Sequence, residues 1–148
     1  MIIRFTVPGE PRGWARARTG QGHHFVDGKT RSAKQVIASW AIEAGAQLTS
    51  GPVLLHVNAY LGIPQSASKK RQAAMLAGDE LPTKKPDFDN IQKLIGDALN
   101  GVVWRDDVQI TDAVFRKRWS DQPRIEIEIH PLRGVNQQSD GSERDKAA

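Results

Sequence analysis

The residues best equipped for chemistry lie in one segment, Lys84-Lys85-Pro86-Asp87-Phe88-Asp89-Asn90-Ile91-Gln92-Lys93-Leu94-Ile95-Gly96-Asp97. Pro86 disfavours helix at the residue preceding it, which sets Asp87 at the N-cap of a helix and Asp89 in its first turn. With 3.6 residues per turn, Asp89, Lys93 and Asp97 share one polar stripe, and Asp87 sits over the amino end. Asp106-Asp107 stands at the entrance to the next strand, where a chain reversal is expected to bring it alongside the same helix terminus. Carboxylates meeting at one point repel one another unless a cation neutralises them, and hard divalent ions such as Mg²⁺ take oxygen ligands of this kind. Such an ion generates a hydroxide nucleophile and stabilises the leaving oxygen of a phosphodiester. Lys93 beside the phosphate would offset the charge that develops in the transition state. A structural reading of the same residues stays open: Asp87 as helix cap, Asp89 at the positive helix end, and Asp89, Lys93 and Asp97 as an ion-pair stripe. That reading leaves Asp106 and Asp107 without a role.

The charge of the whole chain points the same way. Its 148 residues carry a net +4, unevenly spread. Residues 1–34 hold seven Lys and Arg against two acids, and residues 65–85 hold five against two, whereas residues 86–107 hold five aspartates against Lys93 and Arg105. A basic protein with one acidic island suits a polyanion partner and a site that keeps cations close to it. Arg12, Arg16, Arg18, Lys69, Lys70, Lys84 and Lys85 cluster in two regions flanking the acids and are candidate DNA-binding residues through phosphate contacts. Trp14, among the first of them, is suited to stacking on an unpaired base.

Other chemistries fall away. The chain has no cysteine, which excludes disulfides, thiolate nucleophiles and cysteine-ligated zinc. His23-His24 lacks the spaced partners of a zinc site. An EF-hand would need an acid near Ile91, glycine at Gln92 and glutamate at Ala98. No serine sits in a nucleophile elbow and no nucleotide-binding strand, loop and helix accompanies the aspartates, so no organic cofactor is expected. With 39% hydrophobic and 26% charged residues the chain should fold. No run approaches the ~18 apolar residues of a membrane helix. The amino terminus lacks a signal-peptide pattern, so a cytoplasmic protein with no membrane partner is expected.

The acids need a rigid frame, which the hydrophobic pattern supplies. Residues 2–7 read as a strand closed by Pro8-Gly9. A long basic loop follows through Arg31. Ser32 with Gln35 has capping-box spacing, and Val36, Ile37, Trp40, Ala41, Ala44 and Leu48 predict a helix to about residue 49. Val53, Leu55, Val57, Ala59 and Leu61 alternate with polar residues as a long strand. A weaker helix covers 66–78, with Lys69 and Lys70 at its amino end, where the helix dipole disfavours them. Phe88, Ile91, Leu94, Ile95, Ala98 and Leu99 predict a strongly amphipathic helix ended by Asn100-Gly101. Strands over 108–119 and 125–129, separated by Ser120-Asp121-Gln122-Pro123, are predicted to pair as a hairpin. Trp40 and Trp119 are expected in the core and Trp104 against the acidic turn. The fold class is α+β, a mixed or antiparallel sheet packed against two main helices. Residues 1–132 read as one domain and 133–148 as a polar, disordered tail.

Three blocks in this order, Pro86 to Lys93, Asp97-Ala98-Leu99-Asn100-Gly101, and Trp104-Arg105-Asp106-Asp107-Val108-Gln109-Ile110, closely resemble the RusA family of Holliday junction resolvases. The resemblance extends over about residues 1–131, and the element order agrees with it. It implies a small homodimeric Mg²⁺-dependent endonuclease, with Mn²⁺ as a substitute ion, that nicks four-way DNA junctions in symmetric pairs during recombination and repair. Genes of this family are often carried by prophages. The resemblance also implies that Asp87, Asp89 and Asp107 are the metal-binding catalytic carboxylates and Lys93 the essential lysine. Asp97 and Asp106 are additional acids, Asp106 the less favoured ligand of its pair. The homodimer has a geometric motive too, because paired nicks need two acidic clusters and each chain carries one. An exposed apolar face of the 53–61 strand or the 36–48 helix is the expected interface. The competing function class is a non-catalytic basic nucleic-acid-binding protein with an acidic structural stripe.

Overall fold

The alternating run at 53–61 becomes the second strand in from one edge of a four-stranded sheet, and the site is built around it. A computed structural model describes residues 1–13, 18–20, 23–25 and 28–133, with only the backbone of 18–20 and 23–25. In chain order the elements are β1 (Ile3–Pro8), β2 (Arg18–Gly20), β3 (His23–Phe25), α1 (Gly28–Glu43), β4 (Val53–Gly62), α2 (Lys69–Ala77) and α3 (Phe88–Ala98). A one-turn 3-10 helix (Asp107–Gln109), β5 (Ile110–Ser120) and β6 (Arg124–Pro131) follow. The main sheet has the order β1-β6-β4-β5; β2 and β3 form a separate antiparallel pair. β4 runs parallel to β5 and antiparallel to β6, which is antiparallel to β1, so the sheet is mixed and the fold α+β as expected.

One face of the sheet is dry. Ile3, Phe5 and Val7 from β1, Ile125, Ile127 and Ile129 from β6, and Val53, Leu55, Val57, Ala59 and Leu61 from β4 are buried with Ile37 and Ala41 of α1 and the apolar stripe of α3. The register aligns them, with Phe5 and Val57 both opposite Ile127. Period-2 burial of this kind fixes the register, since a one-residue slip would turn every apolar side chain outward. The apolar face of β4 is therefore committed to the monomer core and is not an exposed interface. The opposite face carries Arg4, His56, Asn58, Tyr60, Arg124, Glu126, Glu128 and His130, joined by Arg4–Glu128 and Arg124–Glu126 ion pairs.

Three further expectations need correction. The last two strands are not a hairpin: β4 lies between β5 and β6. Residues 121–123 step across the end of β4, a span of two strand spacings, ~10 Å, that three extended residues reach. α1 starts at Gly28, ahead of Ser32, and stops at Glu43 instead of near 49. Gly45 adopts a left-handed φ of 87°, and the amides of Gly45 and Ala46 turn back to Ile42 and Ala41 carbonyls, which ends the helix and leaves Leu48 outside it. α1 buries Thr30, Ile37 and Ala41, so Trp40 lies on its outer side, 38% exposed, and not in the core. Trp119 does pack against the core. Trp14, Arg16 and residues 134–148, the bulk of the predicted tail, lie outside the described residues.

Candidate active site

α3 forms where the sequence predicts it. Its stripe of Ile91, Leu94, Ile95 and Ala98 is buried against the sheet, and the polar stripe faces out. Asp87 is the N-cap residue, with extended backbone (φ −67°, ψ 148°), yet its side chain makes no capping hydrogen bond. Asp87, Asp89 and Lys93 are all exposed. The segment that carries the first two is pinned to β5: the Phe88 ring packs on Phe115 (centroids 5.9 Å apart), Lys117 Nζ donates to the Lys84 carbonyl (2.5 Å), and Lys84 Nζ lies 5.4 Å from the Trp119 ring centroid. The basic amino-terminal segment also reaches this end of α3. Gly13 approaches so closely that a Cβ there would lie 3.1 Å from the Cβ atoms of both Pro86 and Asn90, which sets Arg12 beside the start of the helix.

The carboxyl end of α3 receives the second pair of acids. Asn100 and Gly101 (φ 78°) end the helix, and the chain turns through Val103 and Trp104, both fully buried. Trp104 Nε1 donates to the Gly96 carbonyl (3.2 Å) and to Asn100 Oδ1 (3.0 Å), bracing the reversal as expected. Asp106 caps the 3-10 turn, its Oδ1 accepting from the Val108 amide (3.2 Å), and Gln109 completes a capping box. The turn brings the Asp107 side chain against α3 at Gly96: a Cβ on that glycine would lie 3.1 Å from Asp107 Oδ2. Asp107 is held above the usual carboxylate range, first by hydrogen bonding with the Asp106 carboxyl, then by burial and the negative charge of Asp106 and Asp97. Asp97 in turn is 3.6 Å from Lys34 Nζ of α1.

The expected meeting of Asp106-Asp107 with Asp87 at the amino terminus of the helix is corrected: the turn after Trp104 folds back only as far as Gly96, so Asp97, Asp106 and Asp107 gather at the carboxyl end of α3 and Asp87 and Asp89 stand at the other. Among the described residues no three Asp, Glu or His side chains stand close enough together to hold one metal ion. Lys69 and Lys70 open α2, exposed, with Ser68 as N-cap. Lys84 and Lys85 are exposed just ahead of the acids; Arg18 lies in β2, and Arg16 is outside the described residues. Lys34, Gly96, Gln109 and Lys117 are contributors that residue-by-residue reading missed. Only Gln109 had a local signal, the Asp-x-x-Gln spacing of a capping box starting at Asp106.

Residues 8–130 match the family model described as endodeoxyribonuclease RusA. The chain belongs to that family. The RusA match takes in all three motif blocks, from Pro86 through Ile110, together with β4, β5 and nearly all of β6. The chain is also similar to the uncharacterized protein YqaN of Bacillus subtilis (strain 168), 37% identical over 137 residues that cover 88% of this chain and 96% of that protein. RusA membership supports a nuclease function in general.

Proposed function

We propose that this protein is a Mg²⁺-dependent endodeoxyribonuclease that resolves four-way DNA junctions, as a homodimer, by paired symmetric nicks. The observation that carries the reading is Asp87: an aspartate at a helix N-cap whose carboxylate makes no capping bond, two residues ahead of Asp89, where the Asp89 and Lys93 stripe begins. The structural-stripe alternative assigns Asp87 a capping role that its side chain does not perform.

The donor chemistry fits a hard divalent ion, since every candidate ligand is a carboxylate oxygen and Asp107 stands among like charges that a cation would relieve. The family resemblance assigns Asp87, Asp89 and Asp107 to hold it; the first two stand at the amino end of α3 and Asp107 against Gly96 near its carboxyl end, so the three do not form one ligand set as they stand. When bound, such an ion lowers the pKa of a coordinated water and polarises a phosphoryl oxygen. The protein's own residues supply the rest. Lys93 presents an ammonium on the same stripe as Asp89, suited to offset charge on a non-bridging phosphate oxygen. Arg12, Lys69, Lys70, Lys84 and Lys85, with Arg16 and Arg18, would engage flanking phosphates and orient the strand. Asp97, paired with Lys34, would keep that cation fixed against α3.

The test is incubation with an end-labelled synthetic four-way junction, with and without Mg²⁺. Paired, symmetry-related nicks that need the metal are expected. Tight junction binding with no metal-dependent nick under any divalent ion would overturn the nuclease reading in favour of a non-catalytic binding protein.

A further inference from the structure

The proposed chemistry leaves Gln109 of the third motif block without a role, yet its side-chain amide is fully occupied. Oε1 accepts from the Arg105 amide (2.9 Å) and the Asp106 amide (3.4 Å), while Nε2 donates to the Thr49 carbonyl (2.8 Å) and the Gly51 carbonyl (3.0 Å). Its backbone amide also donates to the Asp106 carbonyl at 3.1 Å. One side chain therefore ties the acidic turn to the segment entering β4, which lies sixty residues earlier in the chain. We infer that Gln109 is a positioning residue that fixes the Asp106-Asp107 turn so that the Asp107 carboxylate rests against α3 at Gly96; this rests on the nuclease reading, in which Asp107 is a ligand.

The side-chain type is demanding. A primary amide supplies two donors and an acceptor in one plane, which is what two carbonyls on one side and two amides on the other require. Glutamate would face Thr49 and Gly51 carbonyls with an oxygen, lysine would leave the Arg105 and Asp106 amides without an acceptor, and an apolar side chain would release all four groups. Asp107 follows directly on a residue whose amide Gln109 holds, so a turn freed from β4 can shift relative to α3. Displacements of about 1 Å at a reacting centre cost about 100-fold in rate.

The experiment uses the full chain carrying Gln109→Met, which preserves side-chain length and removes the four side-chain bonds, assayed at a temperature where circular dichroism shows it folded. The expected result is a fall in single-turnover rate of about tenfold or more and a raised half-saturating Mg²⁺ concentration. Junction affinity without metal should stay within about twofold, because no phosphate contact is removed. Calorimetric titration with Mg²⁺ and with Mn²⁺ should show the same weakening without turnover. A variant with a lower melting temperature but wild-type rate and metal dependence would overturn the inference, because a merely structural glutamine predicts that outcome. Should Gln109→Met fail to fold, hydrogen exchange on the wild type decides: the Arg105 and Asp106 amides, on otherwise exposed residues, should be protected, and exchange at the unprotected rate would overturn the clamp. Asp107→Asn run in parallel separates the two claims. Normal nicking by that variant overturns the assignment of Asp107 and the inference with it, whereas its inactivity beside a wild-type Gln109→Met overturns the inference alone.

Discussion

Asp87 has the position of a cap without the bond of one, and that separates its contribution to stability from its contribution to chemistry. A capping aspartate contributes about 1 kcal/mol. Asp87→Ala should therefore leave urea unfolding within about 0.5 kcal/mol of wild type, while metal-dependent nicking is lost. Junction binding should stay equal or tighten, since a negative charge facing a polyanion is removed. A stability loss near 1 kcal/mol with nicking intact would restore the cap. Gly96 makes the opposite separation. Glycine inside a helix costs about 1 kcal/mol relative to alanine, but an added Cβ would meet Asp107 Oδ2 at 3.1 Å and Asp107 Cβ at 3.3 Å. Gly96→Ala should melt no lower than wild type and need more Mg²⁺ for half-maximal nicking; an unchanged metal requirement would show that the carboxylate moves aside freely. The acids at 87, 89 and 97 were legible from sequence because a helical period places them. Gly96 was not, because the group that presses on it comes from a turn beyond the helix.

At the scale of elements, α3 and β4 were readable because each carries an unbroken apolar period: Ile91, Leu94, Ile95 and Ala98 in one, Val53 to Leu61 in the other. The partner of a strand is not written in its own alternation. β5 and β6 both look like hairpin strands, and only the assembled sheet puts β4 between them. The limits of α1 were misread for a related reason, since Gly45 ends it through a left-handed turn while apolar residues continue to Leu48. The reversal after α3 depends on Trp104, whose buried indole serves the Gly96 carbonyl and Asn100 Oδ1. Trp104→Phe keeps most of the packing but strands those acceptors, at a cost of about 1–3 kcal/mol. Chemical denaturation would measure it; a loss below about 0.5 kcal/mol would mean that water replaces the indole.

Across the whole molecule, helices cover one sheet face and ion pairs lace the other. Glu128 is held below its usual range by the hydrogen bond from Arg4, with burial opposing and His130 adding to the effect. A carboxylate depressed in this way binds its proton less well folded than unfolded. Its contribution to stability is therefore complete above the unfolded carboxylate range and disappears as the pH falls through the folded value. Arg4→Gln should lower stability at neutral pH by less than about 1 kcal/mol, the pair being largely solvent-screened, and the gap should close in strong acid. A gap that persists there would mean that Arg4 acts through packing. The proposed dimer is checked by sedimentation, which should report about twice the 16.3 kDa chain mass. Mixed with Asp89→Asn subunits, it should leave junctions cut on one strand. The sheet order has a further consequence, for synthesis. β6, the last strand among the described residues, is the one that seats between β1 and β4, and β1 pairs with no other described strand of the main sheet. Until Arg124–Pro131 has left the ribosome, a nascent chain holds the apolar rows of β1 and β4 apart, with strand edges open to other chains. Folding must wait for nearly the whole domain, and products cut short before Arg124 should aggregate instead of persisting as soluble fragments.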